Sequence, residues 1–70
     1  MLYETYNTAY NFGKKYRNAT NDSQREEVNK EKENFKNSKK EIRDKNKIDR
    51  GFEDGLKGLR PNPLGMIKLK

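Results

Sequence analysis

The run SQREEVNKEKENFKNSKKEIRDKNKIDR, residues 23–50, decides how this chain is organised. It holds neither Pro nor Gly, and both of its ends carry helix marks. Ser23-Gln24-Arg25-Glu26 fits a capping box, in which the Ser hydroxyl accepts from the amide of the third helical residue and the Glu side chain reaches back to the Ser amide. Asn21 and Asp22 offer alternative caps. Glu26 and Glu27 fall in the first turn, where the helix dipole favours anions, and Lys45, Lys47 and Arg50 fall where it favours cations. Gly51 then suits the residue that ends the helix. Glu26 with Lys30, and Glu41 with Lys45, add pairs at four-residue spacing in the better orientation. The expectation is one charged helix filling the segment 20–50, roughly 40 Å long at about 1.5 Å per residue.

Little on that helix can be buried. Val28, Phe35 and Ile42 fall seven apart, with Ile48 near the end of the row. They fill one seam position of a coiled coil, while the other holds Glu31 or Lys32, Ser38 or Lys39, then Lys45. Two readings follow. The helix is a solvated one held by its ion pairs, or its narrow ridge docks on a partner whose acidic surface meets the flanking Lys and Arg.

Before it, residues 1–19 place Leu2, Tyr6, Ala9, Gly13 and Tyr16 on one helical stripe, with Tyr3 and Tyr10 beside it. Spacings of three and four predict an amphipathic helix. Gly13 is either a point of close approach or an early end, since it costs about 1 kcal/mol against Ala inside a helix. A stripe built of Tyr leaves hydroxyls that need partners when buried. It packs back on Phe35 and Ile42 as a hairpin, anchors a protein partner, or stacks on unpaired bases with Lys14, Lys15 and Arg17 beside it.

After it, residues 51–60 read as a short Gly-rich helix with Phe52, Leu56 and Leu59 on one face. Gly51, Gly55 and Gly58 open that segment to close approach by another backbone. Pro61 and Pro63 stop it and force an extended course over residues 61–70. The tail alternates apolar and basic residues at its end and suits a partner's sheet edge or groove. The fold class is therefore all-α, in a single small chain with little core of its own.

Seventy residues without Cys exclude a disulfide-stapled scaffold and any thiolate metal site. Charged residues make up 40% and apolar ones 29%, near the disordered regime, but four Tyr and three Phe argue for order. The net charge of +6 favours acidic partners such as nucleic acid or an acidic protein surface. Residues 24–50 carry ten bases and seven acids, so the charge is intermixed rather than a dense basic block. No apolar run approaches the about 20 residues that a membrane span needs. The N-terminus lacks a basic region followed by an apolar one, so no signal peptide is expected, and a cytoplasmic or virus-particle location is.

Catalysis is not expected. There is no His and no Cys, Ser23 is occupied as a cap, and Glu26, Glu27, Glu31 and Glu33 lie among lysines. Asp49, Glu53 and Asp54 cluster around Arg50 with too few oxygen ligands for a cation. No phosphate loop is present, and neither cofactor, metal nor small-molecule substrate is expected.

Arg50-Gly51-Phe52-Glu53-Asp54-Gly55-Leu56-Lys57-Gly58, followed by Pro61-Asn62-Pro63, resembles the Arg-Gly-aromatic-x-x-Gly-aliphatic-x-Gly segment of the ribosome modulation factor family. The resemblance implies an RNA-contacting corner at residues 51–58 in a small basic helical protein that binds ribosomes. The family pattern continues into a Trp- and Gly-rich segment, and this chain has no Trp.

The functional expectation is a non-enzymatic structural or accessory subunit of a larger assembly, a virion or a ribonucleoprotein. Tyr3, Tyr6, Tyr10, Tyr16, Phe52, Leu56 and Leu59 are its expected anchors. Lys14, Lys15, Arg17, Lys39, Lys40, Arg43 and Arg50 are its expected contacts to nucleic acid or an acidic surface. The alternatives are a small RNA- or ribosome-binding regulator and a protein inhibitor of an enzyme.

Overall fold

The computed structural model describes residues 4–61. The readings of Tyr3 as an anchor and of the tail beyond Pro61 lie outside the described residues. Three helices account for most of the rest: α1 (Glu4–Asn18), α2 (Asp22–Asn37) and α3 (Ile42–Lys57). The class is all-α.

The expected central helix is corrected: it is broken after Asn37, and its second half continues through Gly51 to Lys57. The folded chain measures 35 Å in its longest dimension, less than the roughly 40 Å of an unbroken residue 23–50 helix. The break has a local device. The Ser38 hydroxyl donates to the Phe35 carbonyl at 2.6 Å, and the Ser38 amide is shared between Asn34 and Phe35. Ser side chains compete with the backbone for its carbonyls in this way. The larger cause is tertiary. Folding back lets Ile48 reach zero exposure against α1, whereas an unbroken helix holds it far from any apolar neighbour.

α1 and α3 lie side by side and run parallel. A Cβ on Gly51 would stand 2.6 Å from the Tyr6 carbonyl oxygen, and one on Gly55 3.0 Å from the Lys14 nitrogen. A Cβ on Gly13 would stand 2.7 Å from the Leu56 nitrogen. Positions climb together on both helices, and the contacts are backbone on backbone. Small residues four apart make this possible: Ala9 and Gly13 on α1, Gly51 and Gly55 on α3. Gly13 is thus the close-approach point, and Gly51 is corrected from helix terminator to helix interior. The terminator is Gly58, in the left-handed region at φ 76°, where its amide and that of Leu59 close on Gly55 and Asp54.

α2 runs antiparallel to both. Phe12 meets Phe35 edge-on at 5.9 Å, and Lys15 pairs with Glu31 at 3.5 Å. On the other side Lys36 pairs with Asp49 at 3.0 Å, and Lys32 lies over the Phe52 ring at 4.8 Å. Among the described residues the buried apolar side chains are Tyr6, Ala9, Val28 and Ile48. Each large one contributes about 1.5–3 kcal/mol, so close helix contact rather than bulk makes this core. The Tyr hydroxyls find their partners: Tyr6 donates to the Asp54 carboxylate and Tyr10 to the Leu59 carbonyl.

α2 starts earlier than Ser23. Asn21 is its cap, accepting from the Gln24 amide at 2.8 Å. Gln24 in turn accepts from the Thr20 amide at 2.9 Å. A related arrangement is built two residues upstream, with Asn21 and Gln24 in place of Ser23 and Glu26 and with the Thr20 amide as the second donor.

Candidate anion-binding surface

The turn between α2 and α3 gathers charge. Residues 36–47 hold six bases and two acids, an excess of four. Residues 4–61 together hold fifteen and eleven, the same excess. All the net positive charge of the described residues therefore sits at this corner, and elsewhere acids and bases balance. Cations are expected at the end of α2, where the carbonyl dipoles point out. That accounts for Lys36 and Lys39, and Lys39 also lies over the Phe35 ring at 5.0 Å. It does not account for the cations at the head of α3, where the dipole disfavours them.

Arg43, Lys47 and Arg50 follow at spacings of four and three, so they share one row of α3. Arg43 is exposed and pairs with Glu41 at 2.9 Å. That hydrogen bond, then the Glu41 charge, raises the Arg43 pKa. Lys47 and Arg50 are half-buried, and neither makes an ion pair among the described residues; exposed Lys40 makes none either. The Arg50 Nε is shut off from solvent without a hydrogen-bond partner. An unmet buried donor of this kind costs on the order of 1–3 kcal/mol. Ile42, 74% exposed, stands at the same corner.

The expected contact cations thus divide. Lys39, Lys40, Arg43 and Arg50 belong to this corner and row. Lys14, Lys15 and Arg17 lie toward the other end of the molecule. Lys14 sits over the Tyr10 ring at 5.9 Å, and the Arg17 guanidinium fills the space beside Gly58. Lys47 was missed in the sequence, although its place between Arg43 and Arg50 on the row is readable there.

The expected anchors divide too. Tyr6 is fully buried inside the chain, so its reading as a partner anchor is corrected: it is a core residue. Tyr16 packs edge-on to Phe52 at 5.7 Å, and Tyr10, Phe52 and Leu56 are half-buried between helices. Leu59 alone of the described anchors is exposed, at 51%. The Tyr stripe meets α3 and not Ile42, while Phe35 does receive Phe12.

Among the described residues no group of three or more His, Cys, Asp or Glu could hold a metal ion. No helix there is long and apolar enough to cross a membrane. The described residues thus form a small three-helix unit with one unbalanced basic corner. No protein-family model, curated protein or solved structure matches this chain.

Proposed function

We propose that this chain is a non-enzymatic accessory subunit of a ribonucleoprotein assembly, seated on RNA through the α2–α3 corner. One observation carries the reading: the whole charge excess of the described residues lies at that corner, where Lys40 and Lys47 have no acidic partner. Lys40, Lys47 and Arg50 take phosphates, and Lys39 and Arg43 flank them. Exposed Ile42 and Leu59 give protein neighbours in the assembly apolar footholds.

Phosphate contacts release counterions, so the logarithm of the affinity for single-stranded RNA should fall linearly with the logarithm of salt, by about 0.7 per contact. Polarisation titrations of labelled RNA at several salt concentrations test this. The K40Q/K47Q/R50Q variant should bind weakly and show a slope shallower by about two. Absent or salt-insensitive RNA binding by the folded wild-type chain would overturn the proposal.

A further inference from the structure

The α1–α3 pair is covered by α2 on one side only. Phe12 and Lys15 on α1, and Asp49 and Phe52 on α3, turn toward α2, where they meet Phe35, Glu31, Lys36 and Lys32. Positions half a turn round each helix, at about 100° per residue, make the opposite side. On α3 this side carries the row of Arg43, Lys47 and Arg50, with Asp54 next. On α1 it carries Tyr10, Lys14 and Arg17. The two rows border each other, since the Tyr10 hydroxyl donates to the Leu59 carbonyl and the Arg17 guanidinium stands beside Gly58. Among the described residues no further helix lies over them.

Charge is handled differently on the two sides. Toward α2, Lys15 pairs with Glu31 and Lys36 with Asp49. On the open side Lys14, Arg17, Lys47 and Arg50 make no ion pair among the described residues. Lys14 and Arg17 are exposed. Lys14 passes the Tyr10 ring at 5.9 Å, the outer limit of a cation–π contact. The carbonyl end of α3 favours a cation, which holds Arg17 beside the cap without neutralising it. Asp54 is the carboxylate of this side, and it accepts from the buried Tyr6 hydroxyl. Because α1 and α3 run parallel, the cations fall in one line: Arg43, Lys47 and Arg50, then Lys14 near the level of Gly55 and Arg17 at that of Gly58. From Arg43 to Gly58 the line runs roughly 22 Å at about 1.5 Å per residue.

We infer that the RNA backbone continues from the basic corner along this open side, over Lys47 and Arg50 to Lys14 and Arg17. The inference rests on the RNA-binding reading above and extends its site to the far end of the molecule. Charge complementarity selects the occupant. A protein interface has an apolar centre, and Ile42, exposed at the corner, stands off this row. A line of separate, unanswered cations matches the repeating single charge of a phosphodiester chain. Such contacts position the strand and read no bases, so the track is indifferent to sequence. Lys15, next to Lys14 in the chain, faces α2 and stays off the track.

The experiment is polarisation titration of a labelled oligo-rU of about twelve nucleotides into the full chain at several salt concentrations. Wild type is compared with K14Q/R17Q and with K15Q/K30Q, which removes the same charge from the α2 side. K14Q/R17Q should lose at least threefold in affinity, with a salt slope shallower by about 1.4, that is about 0.7 for each contact. K15Q/K30Q should stay within twofold of wild type at an unchanged slope, and K14R/R17K should bind as wild type does. Far-UV circular dichroism melts check that each variant is folded. Equal losses in the two glutamine variants would mean that net charge alone acts, and would overturn the track. Wild-type binding by K14Q/R17Q would end the strand at the corner, overturning the track and leaving the corner standing. Poly-L-glutamate competing as well as RNA would assign the side to an acidic protein and overturn the track. No RNA binding by the wild-type chain would overturn both readings.

Discussion

Asn21 and Ser23 compete for one job at the head of α2, and single substitutions separate them. Asn21→Ala removes the bond to the Gln24 amide and should destabilise the chain by about 1 kcal/mol, whereas Ser23→Ala should be close to neutral. Urea midpoints measure both, and equal effects would contradict the Asn21 cap. Gly55 is a second residue whose role is decided by its surroundings. Helix propensity alone favours Gly55→Ala by about 1 kcal/mol. The added Cβ meets the Tyr10 and Lys14 backbones, which cannot rotate away. Overpacking should therefore win, with a net loss of about 1–3 kcal/mol read from the same unfolding curves. Gly58→Ala, strained at φ 76°, should lose about 1–2 kcal/mol. These glycines were legible as points of approach because three fall within eight residues. Which approaches a neighbour and which ends the helix was not legible, since that depends on where α1 lies.

The break between α2 and α3 shows where element-level reading gives out. Residues 23–50 satisfy every local rule for one helix, and Asn37-Ser38 is the sole local weakness. The break depends on what Ile48 and Phe52 gain by reaching α1, a contact between distant segments. N37A/S38A removes the local device and leaves that gain. The double variant should therefore keep the wild-type radius of gyration by small-angle scattering. A marked lengthening of the particle would mean that the turn itself decides the fold. The seven-residue row of Val28, Phe35 and Ile42 was real as a pattern, yet its members part company: Val28 is buried, Phe35 meets Phe12, and Ile42 is 74% exposed. The cation row of Arg43, Lys47 and Arg50 could have been found by the same counting. It was hidden by the assumption that all charge on a long helix is solvated alike.

At the scale of the molecule, stability is uneven. α1 and α3 touch backbone to backbone, while α2 is held by Val28, one aromatic edge, Lys32 over the Phe52 ring and ion pairs that are part-exposed. Exposed ion pairs add little, typically 0–1 kcal/mol. Native-state hydrogen exchange should show α2 amides opening at least tenfold more readily than those around Ala9 and Ile48. Uniform protection across the three helices would mean that α2 is as firmly held as the rest.

The contact between α1 and α3 bears on what kinship to this chain would look like. Its defining marks are absences of side chain: Ala9 and Gly13 on one helix, Gly51 and Gly55 on the other. Most of the Glu and Asn residues around them are exposed and take no part in this contact. A descendant could exchange most of its letters and keep this architecture, provided two pairs of small residues, each four apart, stay in register across the intervening helix. Ancestry in such a lineage would be written in spacing, not in composition.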